Sequence, residues 1–219
     1  MTATQVPLSG AEAMLIGLAA LAAVGLNVLW RFFEHGMVMA HEGAHAAGFA
    51  MSLQGNRGIE LNPNGTGGTN PPASIGCLGY LFAAVLGYLG PSLFGLGAAK
   101  MIETGHIVEV LWVALFLLVL LLLTVTTTFG VFAVIVAGGL VFLVVRYTPL
   151  EGQIVAAYAI TWFLLLSGVR GILMHGAGAG DARILQSKTF IPRFIWFLFW
   201  LAGTVIAVAI GGKWLILRN

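Results

Sequence analysis

Long apolar runs broken at a few polar points dominate the chain, and their lengths set the elements expected. A helix needs about 20 mostly apolar residues to cross a bilayer core of roughly 30 Å. Met14 to Trp30 meets that length and is closed by Arg31. Phe32 to Leu53 follows, interrupted by Glu34, His35, His41, Glu42 and His45. Residues 54–73 form the longest polar stretch, rich in Gly, Asn and Pro. Ile75 to Ala99 is the next run, and Gly90-Pro91 is expected to bend it, because proline lacks an N–H and crowds the preceding turn. Val108 to Val145 spans 38 residues, roughly 57 Å as a helix and too long for one crossing. Thr124–Thr128 with Gly130 is the expected tight turn between two shorter helices. Ile154 to Met174 is a further span, Gly176–Ser187 reads as a Gly-rich loop, and Phe190 to Leu217 is the last apolar segment.

This pattern predicts an all-α polytopic membrane protein, a single membrane-embedded domain over residues 1–219. It has six or seven transmembrane helices, depending on the turn near Thr124–Thr128 and on whether 32–53 crosses fully. A short re-entrant β-hairpin is expected within 54–73, where Asn62-Pro63-Asn64-Gly65 is a turn signal. The Met14 run does not read as a signal peptide: no Lys or Arg precedes it, and it continues beyond a cleavable core.

Composition agrees. The chain is 59% hydrophobic and 8% charged, with mean hydropathy +1.00, whereas a soluble domain carries about a quarter charged residues. A net charge of +2 with scattered Lys and Arg leaves no basic stripe for nucleic acid. The single cysteine, Cys77, excludes an intrachain disulfide and a Cys-rich zinc site. Lys and Arg divide almost evenly between the two sets of loops, so the positive-inside rule gives no orientation.

Ionisable side chains at membrane depth are costly and mark function. One dense cluster stands out, His41-Glu42-Gly43-Ala44-His45, the HExxH pattern. On a helix, positions four apart lie about 40° apart, so both imidazoles can face one metal. Glu42 is about 60° further round, where it can take a proton from water. The bland alternative, two structural histidines with Glu42 paired to one, leaves three polar groups to satisfy in an apolar setting. His35, six residues from His41, falls on another face and reads as interfacial.

A catalytic zinc site normally uses three protein ligands. Asp181, the only aspartate, lies in a Gly-rich segment before the last apolar run, and it can serve as the third ligand or as a helix cap. His175 is the rival ligand.

At these residues the chain resembles a known family. HEGAHA within a membrane helix is similar to the motif of site-2-protease-type intramembrane zinc metallopeptidases, most closely their small bacterial M50B-like branch. Gly58–Thr69 looks like the hairpin after that helix, Gly87–Gly95 like the bent helix beyond it, and Gly180–Trp196 like the family's Ser-Asp-Ala segment. The resemblance implies one Zn2+ per chain held by His41, His45 and Asp181, with Glu42 as general base in peptide hydrolysis. It further implies a transmembrane protein as substrate, the lipid bilayer as surroundings and a bacterial plasma membrane as location. Gly180 stands where the family has serine, so the hydrogen bond that serine would give the aspartate is missing. These 219 residues show nothing similar to the PDZ-like or CBS-like domains of larger relatives.

The hairpin has a further reading: a helix must be opened before its peptide bonds can be attacked, and an edge strand can pair with the opened segment. Asn62 and Asn64 are the candidate substrate-binding residues there. Gly87, Gly90 and Gly95 read as close helix packing. Two other functions fit parts of the sequence. One is a catalytically silent zinc-binding scaffold, which has no need of Glu42. The other is a metal transporter, which calls for ionisable residues along a path and not at one depth.

Overall fold

The computed structural model describes residues 5–53, 55–176 and 180–217, with His175 and Gly176 described in backbone only. Residues 1–4, Gln54, residues 177–179, the His175 side chain and residues 218–219 lie outside the described part. Of the described residues 79% are helical, with one small two-stranded sheet. Its elements are α1 (Gly10–Gly25), α2 (Asn27–Met51), β1 (Ile59–Leu61), β2 (Gly67–Thr69), α3 (Cys77–Glu103), α4 (Ile107–Leu122), α5 (Thr128–Tyr147), α6 (Leu150–Gly171), α7 (Gly180–Thr189) and α8 (Arg193–Ile216), with a π-helical turn at Ile172–Gly176 after α6.

Four of these helices are long and apolar enough to cross a membrane, or five spans if the α1–α2 pair counts as one. Several long apolar helices make this an integral membrane protein. The expected count of six or seven differs from this for two reasons. First, α1 and α2 form one pair bent by 96°. Second, α4 has 16 residues, about 24 Å of helix, short of the bilayer core.

The α1–α2 break falls at Leu26, which is extended, and not at Arg31, which lies inside α2. A residue far along the chain fixes that position. Arg170, near the end of α6, donates to the freed Val24 carbonyl and, at 2.7 Å, to Asn27 Oδ1. Its guanidinium also lies 4.5 Å from the Trp30 ring centroid, so one cation holds the end of α1 and the first turn of α2.

The Thr124–Thr128 turn falls where expected and does more than reverse the chain. Ile59 N–H donates to Thr124 carbonyl oxygen at 2.9 Å, Thr126 N–H to Ile59 carbonyl oxygen at 2.9 Å, and Thr127 Oγ1 to Leu61 carbonyl oxygen at 2.8 Å. The turn therefore pairs with the outer edge of β1. On the inner edge β1 pairs antiparallel with β2, Ile59 opposite Thr69 and Leu61 opposite Gly67. Ile59 and Leu61 are buried and Glu60 is exposed, the alternation of a one-sided strand. Gly65 closes the hairpin at φ +74°, a conformation that glycine adopts without cost.

Pro91, where a bend is expected, lies inside α3, which continues as one element from Cys77 to Glu103. Small residues on α3 let α2 approach closely, as in membrane helix packing generally. A Cβ on Gly48 would lie 2.5 Å from Ala83 Cα, one on Gly90 2.2 Å from Ala44 Cβ, and one on Gly95 2.7 Å from Leu165 N. The Gly87–Gly95 series thus packs α3 against α2 and α6, as its spacing suggested. The expected loop over 176–187 is instead largely α7. Its buried residues, Ala182 and Leu185, join Tyr80, Ala84, Tyr88, Ile172 and Trp200 in one apolar cluster.

Candidate metal centre

His41 and His45 are one helical turn apart on α2, and their Nε2 atoms face each other at 3.1 Å. Asp181 reaches in from the first turn of α7, with Oδ2 3.5 Å from His45 Nε2. Donor atoms of the three residues all lie within 4.8 Å of one another. Two ligands at about 2.05 Å in tetrahedral array are about 3.3 Å apart, so the 3.1 Å and 3.5 Å separations suit one zinc ion. The donor chemistry agrees: two imidazoles and a carboxylate are the set a hydrolytic zinc uses. A lone histidine pair can satisfy itself only by one donating to the other, and the third group here is a further acceptor.

Close packing fixes the imidazoles. A Cβ on Gly87 would lie 2.2 Å from His45 Nε2, so only glycine there lets α3 pass beside the ring. Tyr88, one residue on, meets the His41 ring edge to face at 4.7 Å and stacks on the buried Trp200 at 4.1 Å. Gly87 is ten residues into α3, about 15 Å of helix, which places the histidines well away from that helix end.

Glu42 is 5% exposed and is held from outside its own helix. Thr69, the last residue of β2, points its hydroxyl at both Glu42 Oε2, at 2.7 Å, and the Glu42 carbonyl oxygen, at 3.0 Å. A Cβ on Gly67 would lie 2.9 Å from Glu42 Oε1 and 2.7 Å from Val38 Cγ1, so the hairpin rests directly on the carboxylate. A cavity of about 480 Å³ opens over these groups, lined by His41, Glu42, His45, Asp181 and the β2 side of the hairpin from Gly65 to Thr69. The outer edge of β2 makes no backbone hydrogen bond among the described residues.

Among the described residues Asp181 is the second residue of α7. Its Oδ1 accepts from the Tyr80 phenol at 2.5 Å while Oδ2 faces His45. Asn62 and Asn64 are not among the residues lining the cavity; both serve the hairpin turn, Asn62 donating to Thr66 Oγ1 at 3.1 Å and Asn64 Oδ1 accepting from it at 2.7 Å. His35 lies apart from the cluster against Phe129, with Nε2 buried and without a partner among the described residues. The His175 side chain is outside the described residues.

Thr69, Tyr80 and Tyr88 carried no sequence signal as single residues.

No curated protein and no solved structure matches the chain significantly. A family model described as Peptidase M50B-like matches residues 14–211, taking in the HExxH helix, the hairpin, α3 and the Asp181 helix. With about nine-tenths of its length inside that match, the chain belongs to the Peptidase M50B-like family.

Proposed function

We propose that this protein is an intramembrane zinc metalloprotease that hydrolyses peptide bonds in or near transmembrane segments of other membrane proteins. One observation carries the reading: two imidazoles and a carboxylate meet within 4.8 Å, beside a buried glutamate that is not needed to complete the trio. Family membership supports the protease class.

In this reading His41, His45 and Asp181 hold the ion. Bound there, zinc lowers the pKa of water toward 7 and polarises a carbonyl. Glu42 accepts a proton from the attacking water and returns it to the leaving amide nitrogen. Thr69 keeps the Glu42 carboxylate turned into the cavity, and neighbouring apolar helices limit access of bulk water. The free edge of β2 offers N–H and C=O groups to an extended peptide beside Glu42, so a substrate helix must unwind locally to bind. Asn62 and Asn64 act on the substrate only through the shape of the turn. The whole chain works as one membrane-embedded unit, in a bacterial plasma membrane as the family resemblance suggests.

The test is cleavage of a panel of transmembrane peptides by purified wild type and Glu42→Gln. Glutamine keeps the size of the side chain but cannot take the proton, so the variant is expected to retain zinc and lose at least about 100-fold in rate. Cleavage by Glu42→Gln near the wild-type rate would remove the general-base role. Zinc binding without cleavage by wild type on any substrate would favour the scaffold or transporter.

A further inference from the structure

Asp181 sits on the shortest α-helix among the described residues, ten residues long, and on none of the spanning ones. Something must therefore aim its carboxylate. α7 is seated on the start of α3, where Cys77 Sγ meets the Lys188 carbonyl at 3.8 Å and Tyr80 contacts both ends of the helix. At the N-terminal end the phenol donates to Asp181 Oδ1 at 2.5 Å. At the C-terminal end Lys188 Nζ lies 5.8 Å from the Tyr80 ring centroid. Asp181 and Lys188 are seven residues apart, two helical turns, so they fall on one face and bracket the ring. Ala182 and Leu185 of α7 pack into the same buried cluster as Tyr80.

A carboxylate has two oxygens, and a metal can take one or both. Here Oδ1 is engaged by the phenol and Oδ2 is turned to His45. Gly180 leaves no hydroxyl on the residue before the aspartate, so the neighbour in sequence supplies no such bond. We propose that Tyr80 is a positioning residue, holding one oxygen of Asp181 so that the other alone is presented to the metal. The proposal rests on the reading of Asp181 as a ligand. Hydrogen-bonding partners of metal ligands commonly matter at the level of 10–100-fold in affinity.

The test measures zinc affinity, by competition with a chelator, on the full-length purified chain. Tyr80→Phe, Asp181→Ala, the double variant and Lys188→Met are compared with wild type, and thermal melting is recorded without metal. Tyr80→Phe is expected to weaken zinc binding about 10–100-fold with the metal-free melting temperature unchanged. The double variant is expected to bind as Asp181→Ala alone, because the phenol acts only through that carboxylate. Lys188→Met, which removes the cation over the ring but leaves the phenol, is expected to bind as wild type. Wild-type affinity in Tyr80→Phe alongside lost affinity in Asp181→Ala overturns the proposal while leaving Asp181 a ligand. An equal loss from Tyr80→Phe with or without Asp181 also overturns it, since the effect is then not routed through the carboxylate. A loss in Lys188→Met equal to that in Tyr80→Phe does the same, because seating of α7 would then set affinity. Wild-type affinity in Asp181→Ala sinks the ligand reading itself, and this proposal with it.

Discussion

The two halves of the candidate site are built differently. His41, Glu42 and His45 come from adjacent turns of one helix, and the helix repeat alone sets their spacing. Asp181 arrives from a ten-residue helix more than a hundred residues later, and contacts to α3 decide where its carboxylate points. The first half is local geometry and the second is tertiary docking. Disturbing the first should act on chemistry directly, whereas disturbing the second should act through position.

The largest expected effect comes from the local half. His41→Ala with His45→Ala removes two of three ligands, so zinc and cleavage should both be lost, as metal analysis of the purified variant will show. Full zinc retention would move the metal elsewhere in the molecule.

Asp181→Asn probes the docked half. Asparagine can still accept from Tyr80 but is neutral and a weaker ligand. Zinc affinity and cleavage should fall as in Asp181→Ala, while metal-free stability should stay within about 0.5 kcal/mol of wild type, the scale of a substitution that leaves contacts in place. An active, zinc-loaded variant would shift attention to His175.

Thr69→Val tests whether the hairpin serves the local half. It keeps the β-branched shape and removes the hydroxyl that faces Glu42. Loss of a hydrogen bond to a charged group is worth about 1.5–3 kcal/mol, so kcat should drop about 10-fold or more with KM and zinc content little changed, and Thr69→Ser should restore it. A rise in KM alone would assign Thr69 to substrate binding. The smallest effect is expected from Asn64→Ala, which loses turn hydrogen bonds with Thr66. It should lower stability by about 1 kcal/mol and change KM less than twofold; a large KM increase would restore Asn64 as a substrate contact.

The same contrast explains what could be read in advance. The helix face shared by His41 and His45, the reversal at Thr124–Thr128 and the hairpin after α2 all follow from local spacing and turn chemistry, and all appear in the structure. The break at Leu26 was misplaced at Arg31 because Arg170, which holds it, is 146 residues from Val24. α7 was hidden because a glycine-rich stretch precedes it and its ten residues include only two that are buried. Pro91 sits within α3 between Gly90, which meets Ala44 of α2, and Ser92, which donates to the Leu165 carbonyl of α6. Thr69 and Tyr80 matter only through partners 27 and 101 residues away, a relation that periodicity does not reveal.

In the proposed site one ion joins the two halves. X-ray absorption at the zinc K-edge of the purified wild-type protein tests it most directly. One zinc per chain is expected, with two imidazole nitrogens and at least one oxygen at about 2.0–2.2 Å, one oxygen scatterer being lost in Asp181→Ala. Absence of zinc, a sulfur ligand, or a first coordination shell unchanged in Asp181→Ala would contradict it.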